Sequence, residues 1–192
     1  MGTLQPSFIV GIGGSAGSLS AYKLFFEAMP SNTGMAFIVI THLQPYASSI
    51  LDQILSRHTK MPVVLAQTGL VVTANRVYVI PPNADLSVKG YILNVVSPPK
   101  RASRQVDCLF KSLAESLGPQ AIGIILSGYC NDGTEGCKHI KAKGGTTFAQ
   151  DQSAEVSSMP LSAHGSGCID FVLPPEKMPS ELLKLIISME KL

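Results

Sequence analysis

The chain has 192 residues, of which 45% are hydrophobic and only 15% are charged. This balance excludes an intrinsically disordered chain and indicates a single domain over 1–192 with a core of ordinary size. The formal net charge of +2 is too small to indicate a nucleic-acid partner.

Apolar runs alternate with segments of helical periodicity along the chain, which predicts strands alternating with helices. The predicted strands are 8–12, 36–40, 61–66, 77–80, 121–126, 146–149 and 169–173. The predicted helices are 19–29, 48–58, 107–117, 134–143 and a last one from 179 or 180 to about 190. The segment 85–96 is predicted as a β-hairpin that turns at Lys89-Gly90.

The strands at 36–40 and 121–126 are apolar at every position, as parallel strands covered on both faces require. The sequence therefore predicts an α/β fold. We expect a doubly wound, mainly parallel sheet with helices on both faces and an antiparallel hairpin at one edge.

No apolar run approaches the ~20 residues that span a bilayer, and Met1 to Ser7 lacks the pattern of a signal peptide. We therefore expect a cytoplasmic protein without membrane insertion. The chain has four cysteines: Cys108, Cys130, Cys137 and Cys168. Because they show neither C-x-x-C pairing nor zinc-finger spacing with histidines, we expect reduced thiols, no metal and no cofactor.

Three basic residues, Lys100, Arg101 and Arg104, cluster in a segment predicted as a loop. We interpret the cluster as a solvated surface loop. The alternative is a contact to an acidic partner or substrate.

Reactive side chains follow the three most apolar strands. Ser15 follows the first strand, His42 the second and Asp132 the strand at 121–126. Sites in open α/β sheets form beyond the carboxyl ends of the strands, so these side chains are expected at one sheet edge. A serine, a histidine and an aspartate are the set needed for nucleophilic acyl transfer.

The loop Gly13-Gly14-Ser15-Ala16-Gly17 matches the G-x-S-x-G pattern of a nucleophile elbow between a strand and a helix. Glycine tolerates the sharp turn, and the N–H groups that open the helix are available to stabilise an oxyanion. The alternative is a glycine turn with Ser15 as a helix N-cap.

The same loop also fits the relaxed dinucleotide-binding pattern Gly11-x-Gly13-x-x-Ala16. That pattern expects an acidic residue at the end of the second strand to hold the ribose. The chain has Thr41 and His42 there, which argues against a nucleotide-binding oxidoreductase.

Two histidines compete as the general base. His42 lies at a strand end, whereas His164 lies in a predicted loop of small residues and would give the Ser, Asp, His order of α/β-hydrolases. The strand-end position favours His42, and His164 remains the alternative. Asp132 stands in an Asn-Asp-Gly turn, so the alternative for it is a cap of the following helix.

At these sites the sequence resembles the catalytic domain of the CheB family, the chemotaxis protein-glutamate methylesterases. The resemblance runs over about 8–188 and rests on several motifs in the same order. These are VGIGGSAGSLSA (10–21), FIVITHLQP (37–45), VYVIPPNADL (77–86), AIGIILSGYCNDGTEG (121–136) and AQDQSAEVSSMPLSAHGSGCIDFVLPP (149–175).

The resemblance implies that Ser15 is the nucleophile, His42 the base and Asp132 the aspartate of a catalytic triad. It implies hydrolysis of glutamate methyl esters on the cytoplasmic helices of chemoreceptors, with release of methanol, and deamidation of receptor glutamines as a second reaction. Ala16 and Tyr129 are expected near the oxyanion and substrate pocket.

Two positions depart from the family pattern. Ser18 stands where a second glycine is usual, and Tyr129 stands where methionine is common, which bears on substrate fit. The first esterase strand begins near residue 8, so we expect no receiver domain. The motifs are closer to the esterase domain of fused methylesterase–methyltransferase proteins, so a methyltransferase or receiver domain in a longer protein is an expected partner. The alternative function is a catalytically weak docking or regulatory module.

Overall fold

The computed structural model describes residues 5–42, 50–100 and 103–189. In chain order, the elements in these ranges are β1 (Ile9–Gly14), α1 (Ser18–Ala28), β2 (Ala36–Thr41), α2 (Leu51–Leu55), β3 (Val63–Leu65), β4 (Arg76–Val79), β5 (Asp85–Lys89), β6 (Ile92–Val96), α3 (Gln105–Leu117), β7 (Ala121–Ile125), α4 (Thr134–Ala142), β8 (Thr146–Gln150), α5 (Ser158–Gly165), β9 (Phe171–Leu173) and α6 (Met178–Met189). Short 3-10 turns cover Gly118–Gln120 and Pro175–Lys177.

Seven of the strands form one sheet in the order β3-β4-β2-β1-β7-β8-β9, and all of its neighbouring strands are parallel. On one side of β1 the chain places β2, then the edge strand β3, and then β4 between these two; it later places β7 on the other side of β1. The strand order therefore reverses at β1, and a crevice is expected beyond the carboxyl ends of β1, β2 and β7. Gly14 is paired with Thr41, and Gly13 with Ile125, at these ends.

Apolar side chains fill both faces of this sheet because alternate residues of a strand point to opposite sides. Ile9 and Ile38 belong to one buried cluster, together with side chains of α3, α4 and α5. Val10 and Phe37 belong to the other, together with side chains of α1, α2 and α6. The predicted doubly wound α/β fold is confirmed.

The predicted β-hairpin is present as β5 and β6, which turn at Lys89 and Gly90. It forms a two-stranded antiparallel sheet of its own rather than joining the hydrogen-bonded ladder of the large sheet. The hairpin packs on α3, where Ser112 Oγ accepts a hydrogen bond of 2.9 Å from the Val88 N–H. This contact attaches the hairpin to α3.

Helix α5 was not predicted from the sequence, in which His164 was assigned to a loop of small residues. The segment Ser158–Gly165 carries Pro160 and small residues, so the apolar stripe that identifies a surface helix is weak. Four sequence predictions fall partly on residues outside the described ranges. These are the end of the motif at 37–45, the start of the helix at 48–58, Arg101 and Glu190.

Tyr22 joins α1 to the end of β2 near the crevice. Its ring is buried, and its hydroxyl donates a hydrogen bond of 2.8 Å to the carbonyl oxygen of Ile40. Burial raises the pKa of the Tyr22 hydroxyl well above its ordinary value. The folded protein therefore holds this group protonated at a pH where the unfolded chain ionises it.

We expect Tyr22→Phe to lower the free energy of unfolding by about 1 kcal/mol at neutral pH, because the Ile40 carbonyl loses its partner. The difference should shrink as the pH rises above about 10, where the unfolded tyrosine ionises and the folded one does not. Urea unfolding of both proteins between pH 8 and pH 11 measures this. Parallel stability curves would contradict the assignment.

Candidate active site

His42 and Asp132 come together beyond the carboxyl ends of β2 and β7. His42 Nε2 lies 2.7 Å from Asp132 Oδ2, a hydrogen bond between residues 90 positions apart in the chain. The Asp132 side chain is fully buried, whereas 19% of the His42 side chain is exposed. A buried carboxylate thus holds one edge of an imidazole ring that remains accessible from solvent.

The Asp132 carboxylate also receives two backbone hydrogen bonds from the first turn of α3. The Val106 N–H donates to Oδ2 and the Asp107 N–H donates to Oδ1, each at 2.9 Å. Arg104, which precedes the helix, supplies no side-chain cap. Asp132 therefore caps α3 from a distant loop, with its carboxylate at the positive end of the helix.

The sequence offered a cap of the following helix as the alternative for Asp132, and that interpretation is wrong. The cap of α4 comes instead from Asp107, whose Oδ1 accepts hydrogen bonds from the Gly133 N–H at 3.0 Å and the Gly136 N–H at 2.8 Å. Asp107 was not singled out in the sequence. Its only signal was an acidic residue in the first turn of a predicted helix, which is too common to identify a site.

Ser15 follows β1 directly, and backbone hydrogen bonds place it beside the end of β2. The His42 N–H donates to the Gly14 carbonyl at 3.4 Å, and the Ser15 N–H donates to the Ser127 carbonyl at 2.9 Å. Gly14 is paired with Thr41 in the sheet, so Ser15 and His42 are the next residues on two adjacent strands. The three residues predicted from the strand ends therefore lie at the same edge of the sheet.

The loop after β7 passes closely behind Ser15. A Cβ atom at Gly128 would lie 3.0 Å from Ser15 Cβ and would overlap Met159 Sδ. The Met159 N–H donates to the Gly128 carbonyl at 2.9 Å, which attaches the start of α5 to the same loop. The unpredicted helix therefore supports the loop that backs the serine.

Two N–H groups expected near the oxyanion site have no internal partner in the described part of the chain. Neither the Ala16 N–H nor the Tyr129 N–H donates a hydrogen bond there. The Ala16 carbonyl is held by the Ser127 hydroxyl at 2.8 Å, and 65% of Tyr129 is exposed. Both N–H groups are available to a bound molecule.

The other histidine considered as a base, His164, lies near the end of α5 rather than in a loop, and it is exposed. The structure brings His42 to the Asp132 carboxylate. Arg104, from the basic cluster, pairs with Asp107, with 3.1 Å between Nη1 and Oδ2.

Two cysteines, Cys137 of α4 and Cys168 before β9, interact with each other. Cys137 and Cys168 are both buried, and a hydrogen bond with the Cys137 thiol lowers the pKa of the Cys168 thiol to about 6. Within 5–42, 50–100 and 103–189, no cluster of three or more His, Cys, Asp or Glu side chains is arranged to hold a metal ion. No helix in the same ranges is long and apolar enough to cross a membrane.

Comparison with known proteins gives consistent matches over nearly the whole chain. The family model described as CheB methylesterase matches residues 10–182. A protein-glutamate methylesterase/protein-glutamine glutaminase from Hydrogenovibrio crunogenus is 32% identical over 190 residues, and one from Burkholderia lata is 31% identical over 188 residues. The crystal structure of the Thermotoga maritima CheB methylesterase catalytic domain superposes with a TM-score of 0.84 at 29% identity, covering 93% of this chain and 98% of that one.

The chain spans about half the length of these two curated relatives. The matches cover 95% of this chain but 50% of the Hydrogenovibrio protein and 55% of the Burkholderia protein. A putative protein-glutamate methylesterase/protein-glutamine glutaminase from Leptospira interrogans is closer in length, since 92% of it is matched at 29% identity.

The turn after Ser15 provides a test of the local geometry. Gly17 has a φ of 73°, and a Cβ there would lie 2.7 Å from both Ser127 Oγ and Glu155 Cβ. Gly90, in the hairpin turn, has a φ of 60° with open space around it. Both positions impose the left-handed conformation, but only Gly17 is also crowded.

We expect Gly90→Ala to cost about 1 kcal/mol of stability from the left-handed backbone alone. Gly17→Ala should cost at least about 1 kcal/mol more, because it adds overpacking against Ser127 and Glu155. The free energies of unfolding in urea measure both. Equal losses in the two variants would contradict the crowding described at Gly17.

Proposed function

Because the chain belongs to the CheB methylesterase family, we propose that it hydrolyses the methyl esters of glutamate side chains on chemoreceptors, as a serine esterase with Ser15, His42 and Asp132 as its triad. The hydrogen bond of 2.7 Å between His42 and Asp132 is the observation that carries the assignment. It joins a base to an orienting carboxylate at the sheet edge where Ser15 stands, as nucleophilic acyl transfer requires.

His42 acts as the general base of the first step. Its Nε2 proton is held by Asp132, which leaves the Nδ1 lone pair to take the proton of the Ser15 hydroxyl. As that proton leaves, Ser15 Oγ forms a bond to the ester carbonyl carbon, and the carbonyl oxygen becomes an oxyanion. The N–H groups of Ala16 and Tyr129 stabilise this oxyanion because both lack internal partners among the described residues.

The tetrahedral intermediate collapses when the bond to the methoxy oxygen breaks. The leaving oxygen takes the proton from His42 and departs as methanol, which leaves an acyl ester on Ser15. A water molecule then gives its proton to His42 and attacks the acyl carbon. Ser15 leaves with that proton, and the glutamate carboxylate is released.

Asp132 stabilises the imidazolium that forms twice in this cycle. Its carboxylate is buried, and the first turn of α3 gives it two N–H donors, so it offers a fixed negative charge to the ring. Deamidation of receptor glutamines follows the same path, with ammonia as the leaving group. The two curated relatives carry both activities in their names. No metal or cofactor takes part in either reaction as proposed.

The proposed substrate is the cytoplasmic helical region of a methylated chemoreceptor, and we propose that the protein acts in the cytoplasm. We propose that the chain acts as a single catalytic domain. We also propose that a receiver or methyltransferase domain is its partner within a longer protein, since the matched curated relatives are about twice as long.

Release of radiolabelled methanol from methylated chemoreceptor membranes tests the proposal. We expect Ser15→Ala and His42→Ala each to lower the rate by a factor of at least roughly 10³, because each removes a group that acts in the transition state. His164→Ala is the matched control, since it removes an exposed histidine that lies away from Asp132. A rate that survives Ser15→Ala but falls with His164→Ala would refute the triad.

Labelling with a fluorophosphonate separates a weak enzyme from a docking module. If Ser15 is an activated nucleophile, we expect the wild type and His164→Ala to be labelled and Ser15→Ala to remain unlabelled. Wild-type protein that neither releases methanol nor takes the label would instead favour a docking or regulatory module.

A further inference from the structure

Asp107 is a buried charge that the proposed reaction does not use directly. The residue is only 5% exposed, and burying a carboxylate is costly unless donors surround it. Asp107 Oδ1 accepts the N–H groups of Gly133 and Gly136, and Oδ2 pairs with Arg104. Every one of these donors belongs to the start of α3 or to the start of α4.

Asp107 and Asp132 cap the N-termini of α3 and α4 reciprocally: Asp107, in α3, caps α4, and Asp132, just before α4, caps α3. Asp107 Oδ1 holds the Gly133 N–H, which belongs to the peptide directly after Asp132. In the opposite direction, Asp132 Oδ1 holds the Asp107 N–H. Each carboxylate thus fixes the main chain from which the other projects.

The compensation of charge explains how two carboxylates are tolerated so close together. Asp132 lies at the positive end of α3, and Asp107 lies at the positive end of α4. Together the two carboxylates receive four backbone N–H groups. Arg104 adds a positive charge on the side of Asp107. The pair is therefore held by donors rather than driven apart.

This reciprocal capping affects the proposed catalysis through one atom, Asp132 Oδ2. Asp132 Oδ2 is shared between the Val106 N–H and His42 Nε2, so a shift of the Asp132 main chain moves the acceptor that orients the ring. A misplacement of about 1 Å in a catalytic group can cost about a hundredfold in rate. Asp107 holds the peptide between Asp132 and Gly133, which joins Asp132 to α4.

We infer that Asp107 is a positioning residue of the proposed esterase, which sets the Asp132 carboxylate against His42 by capping α4. The inference rests on the proposed function. Asp107 contacts no reacting atom, so its effect passes entirely through Asp132. It should therefore alter kcat and leave KM unchanged.

Kinetics of ester hydrolysis, together with the rate of fluorophosphonate labelling, test the inference. Asp107→Ala is expected to lower kcat and the labelling rate by roughly tenfold to a hundredfold, the scale of a misplacement of up to about 1 Å in a catalytic group. Asp107→Asn should restore most of the rate, because its amide oxygen can still accept the Gly133 and Gly136 N–H groups. KM should stay within twofold in both variants.

A double mutant separates positioning from general stability. In an Asp132→Ala background, Asp107→Ala should cause no further loss of kcat, since the residue through which it acts is gone. The matched control is Asp170→Ala, which removes an aspartate that accepts the Thr147 N–H at 2.9 Å and pairs with Lys141. Asp170 directly precedes β9, at the amino ends of the parallel strands, opposite to the edge that carries the site. That variant should lose stability without losing kcat.

If Asp107→Ala does not fold, Asp107→Glu serves instead, because it keeps the charge but moves the oxygens outward by one methylene group. Its kcat is expected to fall about tenfold. Unchanged kcat in a folded Asp107→Ala or Asp107→Glu variant would overturn the inference, as would a full additional loss in the Asp132→Ala background. Wild-type protein that is neither labelled nor active would instead refute the proposed function.

Discussion

Two helix N-termini meet at the carboxyl edge of the sheet, and neither is capped by the residue that precedes it. Arg104 gives α3 no side-chain hydrogen bond, and Gly133 has no side chain to give α4. An N-terminus left without acceptors is costly when it is buried, so the two helices depend on each other for their first hydrogen bonds. The site depends on this constraint, because Asp132, the carboxylate that caps α3, is also the one that contacts His42.

The sheet supplies the other half of the arrangement. Gly13 lies at the end of β1 where Val106 of α3 packs, and a Cβ on Gly13 would overlap Val106 Cγ1. The missing side chain lets the first turn of α3 lie directly against the centre of the sheet. The N–H groups of this turn thereby reach Asp132 in the loop after β7. The carboxylate that they hold contacts His42, which follows β2.

The edge at which Ser15, His42 and Asp132 stand could be predicted because strand ends are visible in the sequence. Continuous apolar runs mark buried parallel strands, and their carboxyl ends share one edge whatever the order of the strands. The strand-end position favoured His42 over His164, but the order of the strands and the contact of His42 with Asp132 did not follow from these local patterns. They depend on which strands pair, which is a property of the whole sheet.

Asp107 and α5 escaped prediction for different physical reasons. The backbone groups of α4 that Asp107 caps lie 26 and 29 residues further along the chain, so no local pattern marks this role. Helix α5 lacks a clear apolar stripe and carries Pro160 in its first turn, so its sequence shows no helical periodicity of apolar residues. The hairpin at 85–96 was visible from its turn, but its separate sheet follows from packing against α3.

The central place of β1 also determines when the site comes into existence. During synthesis, β1 and β2 emerge before β7 and can pair, which brings Ser15 and His42 to neighbouring strand ends. Asp132 and its partner donors cannot join them until β7 has inserted on the far side of β1 and α4 has followed. A ribosome-bound chain in which β7 has not yet formed therefore carries Ser15 and His42 without the carboxylate that contacts the imidazole ring, and the proposed triad is complete only once β7 and α4 are in place.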